Sequence, residues 1–206
     1  MNSNREYPAE QRLRRDFFRR PAPELAQRLL GCHLVSRMEK PLLALEIVEV
    51  EAYLGEGQDP ASHAHRGRTA RNGQMFETPG RLYVYFTYGM HHCMNVVCEK
   101  RGEAGAVLLR AAEPLQGLEL MERRRGRGGR ALTNGPAKLC QALGVDLSAD
   151  GVDLATGPLG IWPGRRPSRV VRSTRIGLSR GRELPLRFFD ADSPFLSRVR
   201  SGERAL

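Results

Sequence analysis

The segment EIVEVEAY (46–53) sets Glu46, Glu49 and Glu51 in one short β-rich run. In an extended strand side chains alternate between faces, so Ile47, Glu49 and Glu51 point one way and Glu46, Val48 and Val50 the other. Two carboxylates on one face can simply be solvated. Glu51, however, ends the strand beside Tyr53 and a long loop, a place from which a carboxylate can hold and deprotonate a water.

That loop (54–80) contains DPASHAHRGRTARNGQMF. His63 and His65 could ligate a metal, but no further Cys or His cluster completes a zinc pattern, so no metal or other cofactor is expected. The other reading gives His63 a hydrogen bond to a ligand and hands phosphates to Arg66, Arg68 and Arg71.

A third cluster, RLYVYFTYGMHHCMN (81–95), holds Tyr83, Tyr85 and Tyr88, three of the five tyrosines in the chain. Alternation sends Leu82, Val84 and Phe86 to the core and Tyr83 and Tyr85 to the opposite face. Tyr83 reads as packing. Tyr88 precedes Gly89 on a turn, where an exposed ring calls for an outside partner such as a base or a duplex step.

The chain that positions these groups has 206 residues, 33 Lys and Arg against 23 acids, and a net charge of +10. Only Lys40, Lys100 and Lys138 are lysines, so arginine carries the charge. Such a field favours polyanions, above all nucleic acid. The N-terminus lacks an apolar signal region, and no apolar run is long enough to span a membrane. The four cysteines read as buried apolar residues in a reducing compartment. Together these imply a cytoplasmic, nucleoid-associated location without membrane contact.

The elements predicted around the clusters begin with a flexible basic N-terminus (1–20), followed by one domain over 21–206. A helix opens at Pro23 or Glu24 and stops at Gly31. Strands follow over 32–36 and 42–53, joined by a turn at 39–41. LYVYF and CMNVVC form a hairpin with TYGM at its tip, and AVLLRA (106–111) is a buried strand. A helix starting at Pro114 runs into RRRGRGGR (123–130), and another spans Pro136 to Gly144. RIGLS (175–179) and LPLRFF (184–189) complete the strands. Strands mixed with a few helices, without βαβ alternation, make an α+β domain.

EVEAYLG (49–55), DPASHA (59–64), the RNxxMF pattern (71–76), LYVYFTYGMHHCMN (82–95), VLLRAAEPLQGLE (107–119) and NGPAKLCQALG (134–144) occur in that order. In this series the chain resembles the alkyladenine (3-methyladenine) DNA glycosylases of the mammalian type. The resemblance implies a single α+β domain on a curved, mainly antiparallel sheet, resembling a formyltransferase C-terminal domain. It also implies a monomer that flips damaged purines out of double-stranded DNA and hydrolyses the N-glycosidic bond, leaving an abasic site.

By the same resemblance Glu51 is the general base, and Arg110 positions the water and the flipped nucleotide's phosphate. Tyr53, His63 and Tyr85 line the base pocket, and Asn95 crowds the exocyclic amine of normal guanine. Tyr88 is the wedge filling the duplex gap, with Met90 beside it, and Arg66, Arg71 and Lys138 contact DNA. His91 and His92 stand where the mammalian members carry aromatics. RRRGRGGR lies outside the matched blocks and reads either as a backbone-tracking loop or as a solvated one. The competing readings are a metal-dependent nuclease built on Glu46, Glu49 and Glu51, and a non-catalytic nucleic-acid-binding domain.

Overall fold

A computed structural model describes residues 5–197. Its centre is β2 (Leu43–Tyr53), whose one edge pairs with β5 (Ala106–Gln116) along almost its whole length. The other edge is shared: β1 (His33–Ser36) takes Leu43–Glu46, and β8 (Arg187–Asp190) takes Glu49–Glu51. Outward from β5 come β4 (His91–Val97) and β3 (Leu82–Thr87), outward from β1 comes β6 (Leu159–Trp162), and β8 also pairs β7 (Val170–Ser173). Every pairing is antiparallel. This is the curved antiparallel α+β architecture expected.

One face of the sheet buries its apolar residues against α2 (Ala22–Leu29), α3 (Leu118–Arg125) and α4 (Pro136–Leu143). Leu25, Ala26 and Leu29 supply the α2 stripe at helical spacing. The other face carries Tyr83, Val97 and Ala106, covered by Ala64, Met75 and Phe76 from the 54–80 loop. That loop is therefore a packed cap, built of turns and a short 3-10 helix (Gly73–Phe76), with Asn72 Nδ2 donating to the His63 and Gly67 carbonyls.

Strict alternation along β2 does not hold. Leu45 and Ile47 join the main core, but so do Val50 and Ala52, so the strand changes phase between 47 and 50. The pairing register shifts at the same place, and β5 slips with it, since Leu109 and Ala112 both face the core. These β-bulges let two strands re-aim their side chains together. Glu49 and Glu51 still share a face, yet Ile47 does not share it, and Glu46 lies on the same side as the two acids.

Three further expectations give way. The helix expected from Pro114 begins at Leu118: Pro114 stays in β5 at a register shift, where a missing N–H is tolerated. Gly117 makes the turn with φ 79°, and a Cβ there would meet Leu43 Cδ2 at 2.3 Å. RIGLS is loop, because its backbone serves the site described below, and in LPLRFF the strand starts only at Arg187. β6 and β7 were not foreseen.

Residues 5–20, expected as part of a flexible basic arm, dock on the body. Tyr7 is buried with its hydroxyl 3.2 Å from His33 Nδ1, and Trp162 Nε1 donates to the Pro8 carbonyl at 2.7 Å. Arg12 donates to the Leu154 carbonyl and stacks over Trp162, while Arg15 pairs with Asp153 at 2.5 Å. Arg12 and Arg15 are thus engaged by carbonyls, a ring and an acid, which composition alone does not reveal. Residues 1–4 of that stretch lie outside the described residues. The four cysteines are free and buried.

Candidate active site

Strands β2 to β5 place polar residues in a cavity of about 350 Å³ on the capped face of the sheet. Its walls include Tyr53 from β2, Tyr83 and Tyr85 from β3, Cys93 and Asn95 from β4, and Arg110 from β5. His63 enters from the cap, Ile176 and Leu178 from the 174–181 loop, and Tyr88 from the hairpin tip. β4 and β5 pair only through Asn95–Val97, and Pro136, in the first turn of α4, also reaches the wall. Such a volume is in the range of small-ligand pockets.

Glu51 is fully buried behind this wall. Its Oε2 accepts from Tyr53 Oη at 2.9 Å and lies 3.1 Å from Arg110 Nη1; its Oε1 accepts from the Ile176 N–H at 2.7 Å. Phenol, guanidinium and amide are the donor complement of a carboxylate. Tyr53, Arg110 and Ile176 all line the cavity, so all three of these donors to Glu51 come from its wall. Burial, then the Glu51 charge, raises the Tyr53 phenol well above its ordinary range, so it remains a donor.

A second acid, Glu49, fixes Arg110. Its Oε1 accepts from Arg110 Nε at 2.8 Å, Arg187 Nε at 2.9 Å and Ser197 Oγ at 2.7 Å; its Oε2 accepts from the Ser197 N–H at 2.6 Å. Burial opposes its charge, but the two guanidinium groups and Ser197 together hold its carboxyl below the usual range. Neither acid is a solvated carboxylate on a half-exposed strand. Two acids and two arginines leave this buried cluster neutral, and burial pulls on Arg110 less than Glu51 and Glu49 do, so its pKa is raised.

The same bulge that puts Glu46 on this side removes the alternation argument against a three-carboxylate metal site. What separates the acids is their partners: Glu46 lies 3.6 Å from His33 Nε2, whereas both Glu49 oxygens are taken by donors.

The aromatic walls are held by one another. Tyr83 Oη lies 2.8 Å from His63 Nδ1, and the His63 and Tyr85 rings meet edge to face at 4.6 Å. Partial burial and nearby Arg71 lower the His63 pKa, favouring neutral imidazole. Burial pushes the Tyr83 phenol up to about 12. Tyr83 is thus both packing and wall. Asn95 Nδ2 donates to the Tyr83 carbonyl at 3.1 Å, which fixes its side chain at the pocket.

Behind Tyr53 the Arg175 guanidinium stacks 4.6 Å from the ring centroid and makes a two-pronged pair with Asp59 at 2.6 and 2.7 Å. This fully buried pair ties the cap to the 174–181 loop and so places the Ile176 N–H on Glu51.

At the hairpin tip Tyr88 is 83% exposed and adopts φ 51°, followed by Gly89 at φ 67°. A bulky residue in the left-handed region is costly, and such strain gathers at functional positions. Met90 beside it is exposed, as is Phe86, which alternation had assigned to the core. Arg66 and Arg71 are exposed, with Arg71 Nη2 donating to the Phe86 carbonyl. Lys138 does not line the cavity; its Nζ donates to Asn134 Oδ1 at the start of α4.

The structure therefore brings Tyr53, His63, Tyr85, Tyr88, Asn95 and Arg110 to one cavity, with Glu51 behind it. Sequence reasoning missed the Glu49–Arg187–Ser197 clamp and the Asp59–Arg175 tie. The only sequence signal for any of them is Asp59 inside the DPASHA block.

The family model for methylpurine-DNA glycosylase matches residues 16–194. A Chlorobium phaeovibrioides protein is 51% identical over 191 residues, covering 91% of this chain and 97% of its own. One from Leifsonia xyli subsp. xyli is 48% identical (89% and 90% covered), and one from Methanoculleus marisnigri 45% identical (88% and 96%). All three carry the provisional name 3-methyladenine DNA glycosylase. With a cavity of this make-up and matches over most of its length, the chain belongs to the methylpurine-DNA glycosylase family.

Proposed function

We propose that this DNA glycosylase extrudes damaged purines of the 3-methyladenine, 7-methylguanine, hypoxanthine and ethenoadenine class from duplex DNA and hydrolyses their N-glycosidic bond with an activated water. The observation that carries this reading is Glu51: a buried carboxylate gripped by three residues of the cavity wall, Tyr53, Arg110 and Ile176.

A stacked base shields its sugar, so the nucleotide has to leave the duplex before reaction, at a cost of a few kcal/mol. Tyr88, strained outward, fills the gap. Inside the cavity the Tyr53 and Tyr85 rings suit a purine face, and a cationic alkylpurine gains most from them. Neutral His63 offers a hydrogen bond to the purine edge, and Asn95 meets a guanine amine.

In the reaction the C1′–N bond breaks and its electron pair leaves with the base. Water oxygen bonds to C1′, and Glu51 takes the water proton. Its charge also opposes that of the oxocarbenium-like transition state. Alkylated purines are already cationic and leave without a proton, whereas neutral bases need one. None of the three lysines lines the cavity, which favours water over an amine as nucleophile and an abasic site as product.

A base-release assay in EDTA, on four duplexes each carrying one of these lesions, tests the reading. Free base and an alkali-labile abasic strand are expected. Tight lesion binding with no base released from any of the four would leave a non-catalytic binding domain instead, and strand cleavage lost in EDTA would indicate a nuclease.

A further inference from the structure

We propose that the arginine-rich turn at 123–130 is a second DNA-contacting element, in which Arg123, Arg127 and Arg130, with Lys138, bind backbone phosphates beside the flipped nucleotide. The proposal rests on DNA being the substrate, but on none of the residues assigned to chemistry.

The RRRGRGGR run divides cleanly once its partners are known. Arg124 pairs with Glu39 at 2.8 Å and donates to the Ala142 carbonyl, so it ties α3 to its surroundings. Arg125 donates to the Leu132 and Ala131 carbonyls and to Gln141 Oε1, folding the turn back onto the segment that leads into α4. These two arginines are structural. Arg123, Arg127 and Arg130 are exposed, and their guanidinium groups make no hydrogen bond or ion pair among the described residues.

Position gives the free arginines meaning. Arg124 and Arg125 hold the turn to Leu132, ahead of α4, and to Gln141 and Ala142 in its last turn, and Pro136 at the start of the same two-turn helix lines the active-site cavity. Lys138 stands in the same first turn of α4. Its ammonium pKa is lowered by partial burial and by the charges of Arg125 and Arg127. Like charges gathered on one surface oppose folding, and a polyanion relieves that repulsion. Left-handed Gly126 and Gly129 turn the backbone on either side of Arg127, and the bonds of Arg124 and Arg125 anchor that turn to the body. A further exposed cation, Arg71, sits at the Tyr88 hairpin, where it donates to the Phe86 carbonyl.

Phosphate contacts of this kind carry no sequence or lesion information, and each contributes about 0.9 to the salt dependence of binding. The test compares wild type with Arg123→Gln/Arg127→Gln/Arg130→Gln by fluorescence anisotropy, on a hypoxanthine duplex and its undamaged counterpart, across a KCl series. The slope of log K against log [KCl] should fall by about 2–3, with equal loss on both duplexes. Single-turnover base release at saturating enzyme should not change.

Two variants separate the alternatives. Arg→Lys at the same three positions should keep most of the slope. Removing equal charge from exposed arginines on and just before α2, through Arg14→Gln/Arg19→Gln/Arg28→Gln, should change it by less than one. An unchanged slope in the turn variant, or an equal fall in the variant on and before α2, would overturn the proposal. Absence of base release in the wild type would instead strike at the reading of the active site, whatever the slopes show.

Discussion

Arg110 is held from two sides by acids two residues apart: its Nε lies 2.8 Å from Glu49 Oε1, and its Nη1 lies 3.1 Å from Glu51 Oε2. Glu49 shares its own charge with Arg187, so Arg110 is not spent on Glu49 alone. The clamp explains how one guanidinium can be rigid and still face the cavity.

Breaking the clamp should destabilise the protein strongly. Glu49→Ala leaves Arg110 and Arg187 buried without their shared acid, and a loss of about 3–5 kcal/mol is expected. Because the folded-state pKa of Glu49 is depressed, its contribution is present above the ordinary carboxylate range and is lost as pH falls through the folded value. Denaturant unfolding at pH 7 and in mild acid checks both points: the variant should lose most at pH 7, and the gap to wild type should narrow in acid. A loss under about 1 kcal/mol at pH 7 would contradict the clamp.

The wedge is predicted to be a function–stability compromise. Tyr88→Gly relieves a left-handed φ at an exposed position, so stability should stay within about 1 kcal/mol of wild type. Binding to a lesion duplex should weaken by about 1–3 kcal/mol of lost stacking, roughly 5- to 150-fold. The same lesion in single-stranded DNA should bind with little change. Equal losses on both would remove the wedge role.

His63 should titrate below its ordinary value of about 6.5. The sign follows from a depressed folded pKa on a base: the unfolded chain binds the extra proton first, so protonation disfavours the fold as pH drops below that value. An NMR titration of the His63 ring reads this directly, and a midpoint above 6.5 would contradict neutral imidazole at the pocket.

How much of this was written in the sequence depends on which contacts set each element. The β3 alternation places Tyr83 and Tyr85 correctly, because the period of two belongs to the strand itself. It fails at Phe86, near the hairpin tip, where the pleat no longer has a core beneath it. The phase change between Ile47 and Val50 was not legible, since it arises jointly in β2 and β5 where β2 changes partner from β1 to β8. Glu51 and its neighbours were found through ordered motifs, whereas Arg187, Arg175 and Ser197 lie 138, 116 and 148 residues from the acids they bind. Separations that long leave no local pattern to read.

The most direct test of the central claim is single-turnover base release by Glu51→Gln on a hypoxanthine duplex, with lesion affinity measured on the same preparation. Gln keeps the shape and can still accept hydrogen bonds, but it cannot take the water proton. The account predicts a fall in the release rate of at least about 10²-fold, with lesion binding within a few-fold of wild type. A variant that releases base at a rate near wild type would contradict Glu51 as the general base.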